Sequence, residues 1–412
     1  YDAVVNKPFR PYLANTYSVD TYSCDDPNIA EYKGVKVYPK AKGTTKIRAT
    51  FSAAREYAEV SCQADLHVRD ELLFGTDLGK NKVLFTEGGG DQPRSLYGIV
   101  NLRMASGDSF DRNNSEFKVK SDNSQLLNIP DKSTGNLVFG DKSGTVSISL
   151  EQGKTNDYTN SSFSRTFTVV RGNKATNTMY IRNAEEWKLF AHLVNEEKMS
   201  TLNVKLDGDI NLGKEFVQVG INGIVNYSGT LDGQGHTISF DWNSTESFAA
   251  PFDIMSGATI KNLHIKGQIA NNVKWASGLV VSVVGPATTT ISNCVSEVDF
   301  KNSLNDDCVV SGFVNVVRNA TLVINDCIYK GKIISANNGK ADAVNAFVSV
   351  MESEPKYTLN NCLSIGETVI PFNACIFSGE ENVNNCYYFS SNLFKNGTKI
   401  TAEQLKSGEV AY

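Results

Sequence analysis

A polar pair followed by leucine or cysteine recurs five times in the second half of this sequence. The recurring residues, at spacings of 31, 33, 35 and 24, are Leu263, Cys294, Cys327, Cys362 and Cys386. A second apolar element lies between the copies, as SGLVVSVVG, SGFVNVVRN and NAFVSVMES. Self-similarity at this period indicates a solenoid, and short elements rich in β-branched residues favour strands over helices. The sequence therefore predicts a parallel β-helix with about one coil per repeat.

The stretch SGTLDGQGHTISF, residues 228–240, fits the same architecture. Glycine supplies the positive φ that a sharp corner needs, and aspartate can hydrogen-bond to the turn backbone. A phosphate-binding glycine loop would need a helix directly after it, whereas HTISF alternates as a strand. We therefore interpret DGQG as a structural corner between two strands rather than as a catalytic loop.

One amphipathic helix is predicted before the repeats, at residues 183–197. Asn183 is placed to act as its N-cap, with Glu186 reaching back in a loose capping box. The spacing predicts one apolar helical face. The residues of this face are Trp187, Phe190, Leu193 and Val194.

The N-terminal part of the chain alternates between strand-like runs, such as GVKVYP and TKIRATFSA, and turn-rich clusters such as SDNS and DKSTGN. Strands at this spacing suggest β-sandwiches. Segments 25–68 and 121–169 share a polar opening, a glycine before an alternating strand, a polar loop with a tyrosine, and a final strand. They resemble the bacterial immunoglobulin-like domain of group 2. The resemblance implies two such domains, at 1–69 and 70–175.

Four segments in the second half, NAEEWKLFAHLVN, VKLDGDINL, YSGTLDGQGHTI and GATIKNLHIKG, resemble in their order the opening coils of bacterial surface β-helix proteins of the GLUG-repeat type. The closing ITAEQLKSGEVAY resembles the tail of such repeats, so the likeness covers about 180–412. Together the two resemblances imply an all-β chain in which two immunoglobulin-like β-sandwiches precede a right-handed parallel β-helix with a short N-terminal capping helix. They also imply an extracellular or cell-surface protein, anchored to the outer membrane of a Gram-negative bacterium.

Enzymes that cleave polysaccharides on a β-helix need carboxylates close together on adjacent coils, often beside a basic group. Here Glu297 and Asp299 share one strand face and are the only catalytic candidates, with Arg318 or His264 as the basic groups that would have to join them. Charges of opposite sign alternate between coils, which is typical of a solvated face with cross-strand ion pairs. The aligned residues are Lys266, Glu297 and Lys330 in one column and Gln268, Asp299 and Lys332 in the next.

The cysteines of the repeat share one register, so we expect a ladder of buried thiols, with coil-to-coil disulfides as the alternative. Cys24 and Cys62 lie in one predicted sandwich and are candidates for a disulfide. The chain has no CxxC pair, and no metal site or cofactor is predicted. Calcium stays open, because Asp306 and Asp307 are adjacent in a polar segment.

Composition excludes several partners. The net charge of −5 argues against nucleic acid. No apolar run reaches the ~18 residues that a membrane-spanning helix needs. We expect a monomer that is secreted or surface-bound.

The resemblance implies a non-enzymatic adhesion or binding protein, with the β-helix contacting a glycan or a host or surface protein and the immunoglobulin-like domains as a stalk. Exposed aromatic rings would provide the sugar-stacking platforms. The candidates are Trp242, Trp275, Tyr227 and Tyr329. The alternatives are a carbohydrate-active enzyme, either a polysaccharide lyase or a glycoside hydrolase, and a structural spacer without a ligand.

Overall fold

The computed structural model of the chain is all-β with a C-terminal β-solenoid. The chain divides into two compact units, Tyr1–Val170 and Arg171–Tyr412. The structure describes residues 1–12, 19–52, 58–76, 82–88, 92–243, 246–270, 274–302, 308–335, 341–352, 356–369, 374–375, 382–389 and 397–408.

The first unit contains two hydrophobic cores built between mainly antiparallel strands. The first core includes Val37, Ile47 and Leu66, each almost fully buried. Its sheet has the strand order Asp2–Val4, Val60–Arg69, Gly43–Phe51 and Thr21–Cys24, with a hairpin formed by Ala30–Lys33 and Lys36–Pro39.

The second core includes Phe117, Ile148 and Phe167. Alternate residues of the long strands point into it, as the period of two in their burial shows. Its elements are Phe117–Ser121, Gly144–Gln152 and Ser161–Asn173 with Val83–Glu87 beside the last, the hairpins Leu72–Thr76 with Val100–Met104 and Leu127–Asn128 with Val138–Phe139, and the 3-10 helix Leu96–Gly98. The immunoglobulin-like assignment and the domain boundaries at 69 and 175 stay predictions.

The second unit is a β-solenoid, in which parallel strands of successive coils stack into four sheets. The first sheet holds Thr178–Ile181, Asn203–Leu206, Thr230–Asp232, Thr259–Lys261, Thr288–Ser292, Thr321–Asn325, Lys356–Asn360 and Val383–Asn384. The second holds Ile210–Gly213, Thr237–Asn243, His264–Ala270, Val295–Asn302, Ile328–Tyr329, Leu363–Ser364, Tyr387–Tyr388 and Thr398–Lys399, with Lys332–Ser335 and Glu367–Val369 alongside.

The third sheet holds Phe248–Ala249, Trp275–Ser277, Cys308–Ser311, Ala341–Asn345 and Ala374–Cys375, and the fourth Phe252–Met255, Val280–Val284, Val314–Arg318 and Val348–Glu352. Register neighbours on the first sheet include Ile260, Ile291 and Ile324. Their separations equal the steps of the sequence repeat, so the parallel solenoid with one coil per repeat is confirmed. Its handedness stays a prediction.

The predicted helix is present as Ala184–Asn195. The side chain of Asn183 accepts a hydrogen bond from the N–H of Glu186 at 3.0 Å, while the Glu186 carboxylate reaches back to the N–H of Arg182 at 2.9 Å. All four residues of the apolar face are buried, and Phe190 packs edge-to-face on Tyr227. A second helix, Ala402–Ser407, begins with a capping box at Thr401.

Six of the eight strands of the first sheet are followed by a corner residue in the left-handed region. The φ angles of Gln234, Asn262, Asn293, Asp326, Asn361 and Asn385 lie between 49° and 54°. Most L-residues pay roughly 1–2 kcal/mol in this conformation, whereas Asn and Asp tolerate it best after glycine. The side-chain amides also bond between coils, as from Asn293 Nδ2 to Asn262 Oδ1 at 2.8 Å.

The DGQG segment occupies this corner, as the sequence predicts. Gln234 takes the left-handed position, and Gly233 is required because a Cβ there would lie 2.4 Å from the carbonyl oxygen of Asn262. Burial alone would raise the pKa of Asp232, but hydrogen bonds from the Asn262 amide and the N–H of Gln234 outweigh it and lower that pKa. The aspartate is thus occupied in holding the corner.

In four of these corners the next residue is a cysteine, and these four cysteines form the predicted ladder. The four thiols at 294, 327, 362 and 386 are buried and unbridged. Cys294 and Cys327 stand on neighbouring coils, since the N–H of Ile328 bonds to the carbonyl of Cys294 at 2.9 Å. The proposed Cys24–Cys62 disulfide is wrong. Both thiols are free, because the strand Gly43–Phe51 lies between their strands.

The left-handed conformation of the corners can be tested at Asn293, which is exposed and has a φ of 51°. Asn293→Gly removes the side-chain amide bond to Asn262 on the neighbouring coil but keeps the left-handed conformation, whereas Asn293→Ala removes the same bond and adds backbone strain. We expect the alanine variant to lose about 1–2 kcal/mol more unfolding free energy than the glycine variant. Thermal unfolding followed by circular dichroism measures the difference. An alanine variant as stable as the glycine variant would contradict the left-handed corner.

Candidate functional site

The solvent face of the second sheet carries the charge ladder that the sequence predicts. We call this the ladder face, and its residues are Asp241, Lys266, Gln268, Glu297, Asp299, Lys330, Lys332 and Glu367. Inward residues of the same strands, such as Ile265, Val298 and Phe300, are buried. The alternation of polar and apolar residues therefore fixes which side chains face solvent.

Glu297 is the centre of this ladder. Its carboxylate lies 3.3 Å from His264 Nε2 on one neighbouring coil and 3.3 Å from Lys330 Nζ on the other. Lys266 is its register partner on the sheet. The side chain of Glu297 is about one third exposed, so these contacts are those of a partly solvated ion-pair network.

Asp299 lies two residues further on the same face, and its carboxylate accepts a backbone hydrogen bond. Its Oδ1 accepts the N–H of Lys332 at 2.8 Å, where the next coil begins a new strand segment. Lys332 Nζ in turn lies 2.9 Å from Glu367, and this hydrogen-bonded carboxylate raises the pKa of Lys332. Both catalytic candidates are therefore engaged in contacts that join coils.

Two histidines extend the network toward the N-terminal coils. His264 Nδ1 lies 3.5 Å from the hydroxyl of Thr237, and His236 Nδ1 lies 3.4 Å from Asp209. The N–H of Thr237 donates to Asp209 and lowers the pKa of that carboxyl. Thr237, His264 and Glu297 thus form a hydroxyl–imidazole–carboxylate row that sequence reasoning missed, because three separate coils contribute to it.

The distances from His264 to Thr237 and to Glu297 are long for a catalytic hydroxyl–imidazole–carboxylate row. A nucleophile and its base normally approach to about 2.6–3.2 Å, and both contacts of His264 are longer. Arg318, the guanidinium candidate, is on the fourth sheet and not on the ladder face. The structure therefore brings His264 to Glu297 but does not bring Arg318 to either carboxylate.

Three of the four aromatic binding candidates are buried, which corrects the prediction for them. Trp242 and Tyr227 have no exposed surface and Tyr329 has 1%. Trp242 donates its indole N–H to the carbonyl of Glu215, and Tyr227 its hydroxyl to that of Leu202. Burial also raises the pKa of the Tyr227 and Tyr329 phenols. These rings fill the solenoid interior, so they cannot stack on a sugar.

Trp275, the fourth candidate, is half-buried and has a partner that sequence reasoning missed. Phe248 is its register neighbour on the preceding coil of the third sheet and is 37% exposed. The ring centroids lie 5.7 Å apart with an edge-to-face angle of 76°. Exposed polar residues flank the pair, namely Glu246, Ser247 and Lys274. We call Phe248 and Trp275 with these three residues the aromatic edge.

A metal site is not assembled in the part of the chain that the structure describes, where no group of three or more His, Cys, Asp or Glu side chains converges. Asp207 and Asn211, which lie four residues apart after the first coil's strand, have other partners: Asp207 pairs with Arg171 at 2.6 Å, and the Asn211 side chain accepts the N–H of Gly213. The calcium candidates Asp306 and Asp307 lie outside the described residues.

Comparison with known proteins adds little to this picture. No family model matches the chain, and no curated protein matches it. A solved structure titled IgA1 Protease is similar, with 14% identity and a TM-score of 0.30, over 62% of this chain and 24% of that one. The chain thus spans about a quarter of that protein's length. A likeness this distant carries no argument, so function has to be argued from the site itself.

Among the helices in the described ranges, none is long and apolar enough to cross a membrane.

The ladder face can be tested at its centre. Glu297→Lys would place three lysines in one column, and we expect a loss of about 1–2 kcal/mol because the ion pair with Lys330 becomes a repulsive pair and Lys266 gains a like-charged register partner. Glu297→Gln should cost less than about 1 kcal/mol. The double variant Glu297→Lys with Lys330→Glu should recover part of the loss. Melting temperatures at low and high salt measure these differences, and equal melting of all three variants would contradict the pairing.

Proposed function

We propose that this chain is a secreted or cell-surface, non-enzymatic binding protein that contacts a glycan through the aromatic edge of its solenoid. In this proposal the first unit consists of two immunoglobulin-like domains that act as a stalk. The helix Ala184–Asn195 covers the first coil as a cap. An extracellular location and an anchor in the outer membrane of a Gram-negative bacterium belong to the same proposal.

The observation that carries the proposal is the pairing of Phe248 and Trp275 on adjacent coils. Strands of neighbouring coils lie about 4.8 Å apart, so two rings in register form a continuous apolar strip along the solenoid axis. Aromatic rings that keep one face in water provide large contact area at little entropic cost. Glu246, Ser247 and Lys274 supply carboxylate, hydroxyl and ammonium groups beside the rings, which suit the hydroxyl groups of a sugar.

The state of the carboxylates supports binding over catalysis. Glycoside hydrolysis needs one carboxyl that can donate a proton and a second that is free to act as base or nucleophile. On the ladder face Glu297 is shared between His264 and Lys330, and Asp299 accepts a backbone N–H. These groups are committed to holding coils together.

A second candidate function, a carbohydrate-active enzyme, is favoured by one observation only. His264 Nε2 lies 3.3 Å from Glu297 and His264 Nδ1 lies 3.5 Å from the hydroxyl of Thr237, so a hydroxyl, an imidazole and a carboxylate stand in one row. Release of reducing ends from polysaccharides, lost on Glu297→Gln, would establish this alternative. A structural spacer, the third candidate, would bind no glycan at all.

The proposal is tested by glycan-array binding of the full chain, followed by calorimetric titration with the glycans that bind. Trp275→Ala and Phe248→Ala should each weaken binding about tenfold or more, because each removes an aromatic ring that would contact the sugar. Phe389→Ala is the matched control, since Phe389 is an exposed aromatic of the same unit at 42% exposure. Binding without product release supports the proposal. Product release, or binding that both aromatic variants retain, would overturn it.

A further inference from the structure

The strand Phe117–Ser121 lies at one edge of its sheet in the first unit. Among the described residues it pairs with a single strand, Gly144–Gln152, in the antiparallel direction. An open groove with a volume of about 360 Å³ runs along its other side. This groove, which we call the edge groove, is bounded by the strand itself and by Ile129, Pro130 and Lys132.

The hydrogen-bonding pattern of the strand determines which backbone groups face the edge groove. The N–H of Asp122, directly after the strand, donates to the carbonyl of Ser147 on the paired side at 3.0 Å. Backbone groups of successive residues alternate between the two sides of an antiparallel strand. The N–H and C=O groups of Val119 and Ser121 therefore point to the edge groove.

One further residue of the strand, Phe117, shows that this side is open to partners. Its N–H donates to the carbonyl of Asn114 at 3.1 Å, and its C=O accepts a hydrogen bond from Lys132 Nζ at 2.8 Å. The corresponding backbone groups of Val119 and Ser121 have no hydrogen bond to any residue that the structure describes. They can be paired by water or by the backbone of an added strand.

The side chains beside the groove define which residues an added strand would need. Lys118 and Lys120 are exposed on the outer face of the sheet, whereas Val119 points to the other face and packs against the core together with Ile129. Side chains of an added strand would alternate in the same way. Every second residue would lie beside a lysine, and the residues between them would lie toward the apolar side of the groove.

The charge of the edge groove selects the partner. Its lining includes three lysines, at 118, 120 and 132, and no acidic side chain. Lys120 lies 3.6 Å from Glu151 in a largely exposed pair, and such pairs contribute little. Lysines on an edge strand also keep two copies of one chain from pairing there, because the two edges would repel each other. A strand that carries carboxylates meets no such repulsion.

We propose that the edge groove binds an extended peptide in which acidic and apolar residues alternate, and that this peptide adds a strand to the sheet. Its backbone would pair with the N–H and C=O groups of Val119 and Ser121. Its carboxylates would approach Lys118 and Lys120 across the new strand pair. The site is independent of the aromatic edge, and it gives the first unit a partner of its own in addition to the role of a stalk.

The test follows the fluorescence anisotropy of a labelled short peptide of alternating glutamate and valine, titrated with the full chain at low and at high salt. The peptide should bind, and more weakly at high salt because the lysine–carboxylate pairs are screened. Val119→Pro removes a hydrogen-bond donor from the edge groove and should weaken binding about tenfold. Proline is accepted here, because the N–H of Val119 does not bond to the neighbouring strand.

A second variant, Lys118→Glu with Lys120→Glu, leaves the backbone unchanged and should also weaken binding about tenfold or more, because like charges then face each other. Both lysines are exposed, so the variant folds. Lys142→Glu, at an exposed lysine of the same unit outside the groove, is the matched control and should bind normally. Trp275→Ala should leave peptide binding unchanged, which separates this site from the proposed glycan binding of the solenoid.

The proposal is overturned if the peptide does not bind, or if the Val119→Pro chain and the double lysine variant both bind it as tightly as the unchanged chain. Equal binding of the same peptide with every backbone N–H methylated would also overturn it, since that peptide cannot add a strand. Loss of binding on Trp275→Ala, or self-association of the chain in place of peptide binding, would contradict the assigned site and partner.

Discussion

Parallel hydrogen bonding between successive coils is the constraint on which the rest of the second unit depends. Once Ile260, Ile291 and Ile324 stand in one register, the remaining residues of each coil also lie beside their counterparts on the next coil, about thirty-three positions away. A slip of one residue would send the inward apolar side chains to solvent. The buried thiols, the asparagine corners and the charge ladder are all consequences of this single alignment.

The corners keep that register. A residue with positive φ follows the first-sheet strand in six coils, and the amide of Asn293 bonds to Asn262 as that of Asn361 does to Asp326. Asn and Asp therefore satisfy two requirements at one position, because they tolerate the backbone conformation and link neighbouring coils. The same logic applies on the ladder face, where ionic side chains hold coils together. The glycan binding that we propose is on another surface, at the partly exposed rings of Phe248 and Trp275.

The repeat predicted the solenoid because a periodic sequence must place equivalent residues in equivalent environments. It could also have predicted the fate of Trp242, since Ile238, Phe240 and Trp242 alternate along one strand and so share the inward face. Tyr329 follows from register in the same way, because its neighbour Ser296 is buried. By contrast, the contact of His264 with Thr237 and the exposure of Phe248 depend on coil lengths that differ from turn to turn, which the sequence alone does not specify.

The stacking of coils is tested most directly by zero-length carbodiimide cross-linking of the native chain with peptide mapping. Such a reagent joins only a lysine and a carboxylate that are in contact. We expect links between Lys330 and Glu297 and between Lys332 and Glu367, whose charged atoms lie 3.3 and 2.9 Å apart. Absence of both links, with these lysines joined instead to carboxylates outside the neighbouring coils, would contradict it.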